Sequence, residues 1–216
     1  MTPQVAYYPQ FFDAPDLQTA KQIILTPEFG LSTEDRWQRE TDYLANLIAS
    51  VGPKLGPTSV VLDYGCGVGR LSKALMDRYD CAVVGADISP QMRAYATEYV
   101  SHHKFFSLDP SALTMLRPGF ADLVISVWVL QHCHRPLGDL RAIREALRRD
   151  TGRFFVVNET QRLVPAVTED GPCWITDGLK MHGLLQQQFD QCASGMLDPA
   201  IVTETVSQRT FWGLYR

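Results

Sequence analysis

The chain has 216 residues, 45% hydrophobic and 20% charged, and a formal net charge of −4. That composition and size suit one folded α/β domain with a substantial core. No run of like charge offers a grip on a phosphate backbone, so a nucleic-acid partner is not expected. No apolar run reaches the ~18 residues of a membrane span. The opening residues MTPQVAYYPQFFDAPD lack the basic and apolar regions of a secretory signal, so the expected compartment is the cytoplasm. The five cysteines (Cys66, Cys81, Cys133, Cys173 and Cys192) are odd in number and contain no CxxC pair. Neither a disulfide framework nor a structural zinc site is expected. His132 and His134 share a face if extended, but no third ligand stands near them, so no metal is expected.

Residues 1–31 read as an irregular arm, punctuated by Pro3, Pro9, Pro15 and Pro27. Tyr7, Tyr8, Phe11, Phe12 and Phe29 make it aromatic, so it packs on the domain or forms a flap over a pocket. A helix starts at LSTEDRW, with Ser32 or Thr33 as cap and Glu34 and Asp35 at its positive end. Trp37, Leu44, Leu47, Ile48 and Val51 continue it at helical spacing, and Gly52, Pro53, Gly56 and Pro57 end it in a linker. Residues 59–63 read as a buried strand, followed by a glycine turn and a helix over 68–79. Residues 81–86 are a second strand. Ser89 caps the next helix, with Pro90 in its first position. Strands are expected at 104–107, 121–127 and 152–158, with a helix marked by Leu137, Leu140, Ile143 and Leu147. Strands that are continuous apolar runs, alternating with helices, imply a parallel sheet covered on both faces. The tail differs: 188–195 and 209–216 both read as strands, with no helix-length segment between them. An antiparallel hairpin is expected there.

The stretch VVLDYGCGVGR carries the chemistry. Gly65, Gly67 and Gly69 permit positive φ and close approach of a ligand to the backbone, and the following helix offers unpaired N–H groups. A glycine turn alone is a weak signal, because it also packs a helix on a strand. The spacing here is GxGxG rather than GxGxxG. No Lys-Ser/Thr pair follows, which excludes a P-loop. The second strand ends in Asp87, about 20 residues on, where a carboxylate accepts hydrogen bonds from ribose hydroxyls. These residues leave NAD and other nucleosides open.

Four motifs in order, VVLDYGCGVGR, VVGADISPQM, FADLVISVWVLQH and LRAIREALRRDTGRFFVVNE, resemble those of the class I S-adenosylmethionine (SAM)-dependent methyltransferases. The resemblance covers roughly residues 58–160. It implies a doubly wound, mostly parallel α/β sheet of seven strands with the last antiparallel, plus an N-terminal helical cap. It implies that Asp63 orients the turn and the methionine end of SAM, that Gly65, Cys66 and Gly67 pass beside the ligand, and that Asp87 binds the ribose. Ile88 and Met92 would flank adenine, with Asp109 or Pro110 at its edge. Ser126, Val127 and Trp128 would line the point from which the methyl group leaves. Physical chemistry agrees with that ligand. SAM has no pyrophosphate to cradle, and its sulfonium suits Asp63 and aromatic faces such as Trp128 or Tyr64. Arg36 or Arg70 is available to its carboxylate.

Methyl transfer is an in-line displacement for which the protein aligns the acceptor and excludes water. A base is needed only for a protonated acceptor. His132, after the fourth strand, and Glu159, after the fifth, are the catalytic candidates, with loop packing and a solvated acid as their alternatives. Tyr7, Tyr8, Trp174 and His182 are the candidate acceptor-binding residues. Residues 1–57 are expected to form part of a substrate lid, and 58–216 the SAM-binding domain with an insertion near 160–186. With no basic patch, the expected acceptor is a small metabolite or natural-product intermediate, methylated on O or N, with S-adenosylhomocysteine (SAH) as product. The alternatives are a protein acceptor, a non-catalytic SAM-binding or interaction protein, and an NAD-dependent oxidoreductase. The GxGxG spacing and the terminal strands argue against the last.

Overall fold

Two short elements open the chain: β1 (Ala6–Tyr7) and a 3-10 turn over Pro9–Phe12. They come from a computed structural model that describes residues 6–28 and 30–216, so Phe29 and the first five residues lie outside the described set. The arm is less irregular than its prolines suggest. Asp16 accepts a hydrogen bond from the Thr19 amide and starts α1 (Leu17–Ile24), which buries Ala20. The next helix, α2 (Thr33–Val51), begins in the predicted place. Ser32 Oγ accepts from the Asp35 amide and Asp35 accepts from the Ser32 amide, a reciprocal cap. Trp37, Leu44 and Ile48 are its buried stripe.

From there strand and helix alternate: β2 (Val60–Tyr64), α3 (Arg70–Tyr79), β3 (Ala82–Ala86), α4 (Pro90–Val100), β4 (Phe105–Leu108), β5 (Leu123–Val127), α5 (Pro136–Ala146) and β6 (Arg153–Glu159). Then come β7 (Val164–Thr168), β8 (Gly171–Ile175), α6 (Met181–Gln188), β9 (Gln191–Gly195), α7 (Pro199–Val202), α8 (Glu204–Arg209) and β10 (Thr210–Tyr215). The large sheet has seven strands in the order β4-β3-β2-β5-β6-β10-β9. β10 runs antiparallel to both of its neighbours, and the pairs among β2 to β6 are parallel. The seven-stranded, mostly parallel sheet is thus present.

Side chains alternate across this sheet, which is why its strands are apolar throughout. Val61, Val83, Leu123, Ile125 and Phe155 point to one core, filled from α2 and α3 by Leu44, Ile48, Leu71 and Leu75. Leu62, Val84, Val124, Phe154 and Val156 point to the other, filled by Leu140, Ile143, Leu185 and Phe189. Most of α2 therefore serves the sheet, while Trp37 near its start packs with Ala14, Ala20 and Leu25 of the arm.

One expectation is corrected. The terminal strands pair antiparallel but are not a hairpin, because α7 and α8 intervene. Both are short and locally capped: Asp198 accepts from the Ala200 amide, with Pro199 in the first helical position, and Thr203 accepts from the Val206 amide. The segment near 160–186 is a hairpin, β7–β8, followed by α6. β1 adds to that hairpin, with Ala6 opposite Val167 and Tyr7 opposite Ala166, to give a three-stranded antiparallel sheet. The arm and the insertion, distant in sequence, are one structural unit.

Candidate active site

The glycine turn leaves β2 with Gly65 at φ +78° and Gly67 at φ +52°, a region open to glycine at little cost. A Cβ on Gly65 would lie 2.2 Å from Val129 Cγ2. The Gly65 and Cys66 amides donate to the Ala86 carbonyl, which binds the turn to the end of β3. One residue on, Asp87 accepts from the Gly67 amide at 2.8 Å and the Ser89 amide at 2.9 Å. Each carboxylate oxygen is thus oriented by one backbone donor and keeps further acceptor capacity. Burial raises the Asp87 pKa, and the two amides oppose that rise. Asp63 accepts from Ser72 Oγ at 2.7 Å, and burial pushes its carboxyl up to about 6.

The two arginines named for a carboxylate differ. Arg36 is committed: it donates to Glu40 at 2.6 Å and the Thr26 carbonyl at 2.7 Å, with Glu28 at 3.5 Å. Arg70, buried in the first turn of α3, donates to Thr41 Oγ1 and lies over the Trp37 ring. It has no ion-pair partner among the described residues, and burial lowers its pKa to about 10.

One cavity of about 970 Å³ joins this turn to the three-stranded sheet. Asp63, Gly65, Cys66 and Gly67 line it, as do Asp87, Ile88 and Met92 around the start of α4, and Asp109 and Pro110 after β4. Asp109 is held low by hydrogen bonds from Ser111. Val127 and Trp128 line it from the end of β5, and Tyr7, His132, Glu159 and Trp174 are also in its wall. Ser126, Tyr8 and His182 are not. Ser126 is fully buried. Tyr8 comes just after β1, before the Pro9–Phe12 turn; its amide donates to the Pro165 carbonyl and its ring meets Phe11 edge-on. His182 sits on α6 with its ring edge-on to Phe211.

Trp128 has φ +64°, a costly conformation for a large side chain, and its indole N–H is buried without a partner among the described residues. Its amide donates to the Val157 carbonyl, which fixes the chain as it leaves the sheet. The next turn carries His132. Its Nδ1 is 2.6 Å from the Leu163 carbonyl, which only accepts, so Nδ1 bears the hydrogen and Nε2 the lone pair. Gln131 donates its amide to that Nε2 at 3.3 Å, and Asn158 Oδ1 accepts from the Gln131 backbone. Burial lowers the His132 pKa, which keeps the ring neutral. Glu159 is not a solvated acid. Arg209 pairs with it at 3.2 Å and with Glu28 at 2.6 Å, which ties the rim of β6 and the end of α8 to the arm.

Three features went unread in the sequence. Arg162 is fully buried; it donates to the Leu130 and Cys133 carbonyls and pairs with Asp177 at 3.0 Å, pinning the His132 turn to the insertion. Ile24 of α1 lies against the turn, where a Cβ on Gly67 would be 2.6 Å from its Cδ1. Tyr64 donates to Asp139 at 2.6 Å, and burial raises its pKa. Of these, α1 had a signal, the Asp16–Thr19 cap before an apolar stripe; a buried arginine had none.

Residues 62–156 match the family model described as a methyltransferase domain. No curated protein matches the sequence. Among solved structures, the chain is similar to the PH0226 protein of Pyrococcus horikoshii OT3, with a TM-score of 0.64 at 18% identity over 83% of this chain and 91% of that one. A SAM-dependent methyltransferase from Aquifex aeolicus gives 0.60 at 15% identity, covering 84% and 90%. The [4+2]-cyclase SpnF gives 0.63 at 15% identity, covering 83% and 81%.

Proposed function

We propose that this S-adenosylmethionine-dependent methyltransferase methylates a small organic acceptor on oxygen or nitrogen. The observation that carries the reading is a cavity of about 970 Å³ that runs from the glycine turn and Asp87 to His132 and Trp174, at the upper end of the volumes of small-molecule sites. The residues present fit SAM. Gly65 and Gly67 expose backbone where a Cβ would collide, Asp87 keeps acceptor capacity for a ribose, and Asp63 with the faces of Tyr64 and Trp128 suits a cation. Arg70 is the better partner for the carboxylate, since Arg36 is already saturated by Glu40, Glu28 and Thr26.

Bound there, SAM supplies an electrophilic methyl carbon. The chain's own part is to orient and to exclude water. The arm, through Phe11, Phe12 and α1, covers the cavity and keeps solvent from the reacting atoms. His132, neutral and with its Nε2 lone pair held only by the Gln131 amide at 3.3 Å, is the group suited to accept a proton from the acceptor. Glu159 is less suited, because Arg209 occupies it; burial raises its pKa and Arg209 opposes that rise.

Calorimetry with SAM and SAH, followed by a methyl-transfer assay across small acceptors, tests the reading. One-to-one binding with transfer supports it; absence of SAH binding sinks it. Binding without transfer to any acceptor would favour a non-methylating role, the more so because the cyclase SpnF shares the fold.

A further inference from the structure

Four rings from three separate parts of the chain meet in one wall of the cavity. Phe11 and Phe12 come from the arm, His132 from the turn after β5, and Trp174 from β8. Phe11 and Trp174 have centroids 4.7 Å apart, His132 and Trp174 5.1 Å, and Phe12 and His132 5.8 Å. Tyr7, stacked on His134 at 5.0 Å, also lines the cavity. Such a wall gains most from a flat π-rich partner, which stacks on some rings and meets the edges of others. It also carries a hydrogen-bond acceptor, Nε2 of His132, whose tautomer is set by the Leu163 carbonyl.

Most of the charges on this side are already paired. Glu28 and Glu159 share Arg209, and Arg36 lies between Glu28 and Glu40. Two charged groups of the lining next to His132 have no ion pair among the described residues: Asp139, which accepts from the Tyr64 hydroxyl, and Arg135, exposed at the start of α5.

We propose that the acceptor is an aromatic hydroxyl compound, a phenol in the broad sense, laid against Phe11, Phe12 and Trp174 with its hydroxyl on Nε2 of His132. This rests on the methyltransferase reading above and names the substrate class for it. The step balances. The phenolic oxygen takes the methyl carbon as that carbon's bond to sulfur breaks, the bonding pair stays on sulfur, and the phenolic proton passes to Nε2. The products are an aryl methyl ether, neutral SAH and an imidazolium that returns its proton to water.

Acidity decides between hydroxyl classes. A phenol has a pKa near 10, as in tyrosine, about 4 units above an imidazole. An aliphatic hydroxyl lies close to water, at about 16, so the same imidazole is about 9 units short. The neighbouring titratable groups do not compete as bases. Burial pushes Tyr7 up to about 12 and raises the Cys133 thiol well above its ordinary value. His134 is exposed, and Arg162 is anchored on Asp177. Gln131, which holds Nε2 at 3.3 Å, is the positioning residue that must release it as the hydroxyl arrives.

The test uses 2-naphthol, cyclohexanol and benzylamine with the full chain. Calorimetry measures their binding to SAH-saturated protein, and product analysis measures transfer from SAM. The expected result is that 2-naphthol binds and becomes its methyl ether, while cyclohexanol and benzylamine do not react. Trp174→Ala, at a half-exposed position on an edge strand, should weaken 2-naphthol binding tenfold or more and leave SAH affinity unchanged. His132→Gln should keep 2-naphthol binding, lower kcat by about 10²-fold or more, and abolish the acid limb of the pH profile. SAH binding without binding or methylation of 2-naphthol overturns the proposal and leaves the parent reading intact. So does preferred transfer to cyclohexanol or benzylamine, or an unchanged kcat and acid limb in His132→Gln. If SAH does not bind, the parent reading falls and this one with it.

Discussion

Replacing Asp87 by alanine separates a structural duty from a ligand duty at one carboxylate. In the folded chain its oxygens accept from the Gly67 amide at 2.8 Å and the Ser89 amide at 2.9 Å. Hydrogen bonds to a charged group contribute roughly 1.5–3 kcal/mol each, so losing two costs at most about 6 kcal/mol. The cost is reduced because the carboxylate itself is buried and its ionised form disfavoured, as its raised pKa records. A net loss of about 2–4 kcal/mol follows, within the reach of urea denaturation. For the ligand, the account puts ribose hydroxyls on the same oxygens. Losing that contact costs about 1.5–3 kcal/mol, a roughly 10- to 150-fold weaker Kd for SAH. Asp87→Asn covers the case in which the alanine variant fails to fold: it keeps the size and one acceptor oxygen, and should lose less stability but still lose affinity. Calorimetry on the folded protein reads the second effect apart from the first. Unchanged SAH affinity in either folded variant would refute the assignment of Asp87 to the ribose.

Asp63 gives a pH signature. Its folded-state carboxyl is pushed up to about 6, above the unfolded value, so stability is fully present below pH ~4 and is lost as pH rises towards 6. That loss amounts to about 3 kcal/mol in the unliganded chain. A cationic ligand end selects the ionised form, so SAH affinity should fall by up to about tenfold per unit below pH 6, and Asp63→Asn should flatten that profile. A profile that stays steep in the variant would remove Asp63 from the ligand's surroundings. Gly65→Ala forces a Cβ into a left-handed backbone and to within 2.2 Å of Val129; strain and overpacking together should cost about 2–5 kcal/mol, read as a lower melting temperature. An unchanged melt would show that the turn relaxes freely. Arg162→Ala breaks a buried ion pair and two carbonyl contacts and should destabilise by about 3–5 kcal/mol in chemical denaturation. Arg162→Lys should recover only part of this, since one ammonium cannot reach all three partners; full recovery would count against the role given to the guanidinium fork.

The half of the site that holds local motifs was legible, and the half built from distant contacts was not. Asp63, the glycines and Asp87 sit at strand ends that their own apolar runs announce, so their positions follow once the strands are found. Continuous apolar strands also announced a sheet with two cores, as Val61 and Leu62 or Phe154 and Phe155 show by facing opposite ways. No such local signal joins β1 to β7, because a two-residue strand has no period. Its pairing sets Tyr7 opposite Ala166, and Tyr7 but not Tyr8 lines the cavity, a distinction the two adjacent tyrosines did not carry. The tautomer of His132 depends on a backbone carbonyl, and the state of Glu159 on Arg209 at the far end of the chain. The tail was misread because α7 and α8 are too short to show periodicity, although Asp198 before Pro199 is a helix-start signal.

A crystal structure of the chain with SAH and 2-naphthol bound tests the central claim most directly. The account predicts ribose hydroxyls on Asp87, the sulfur between Trp128 and the aromatic wall, and the naphthol oxygen on Nε2 of His132. SAH lying away from Asp87, or a naphthol oxygen turned from His132 with its rings clear of Trp174, would contradict it.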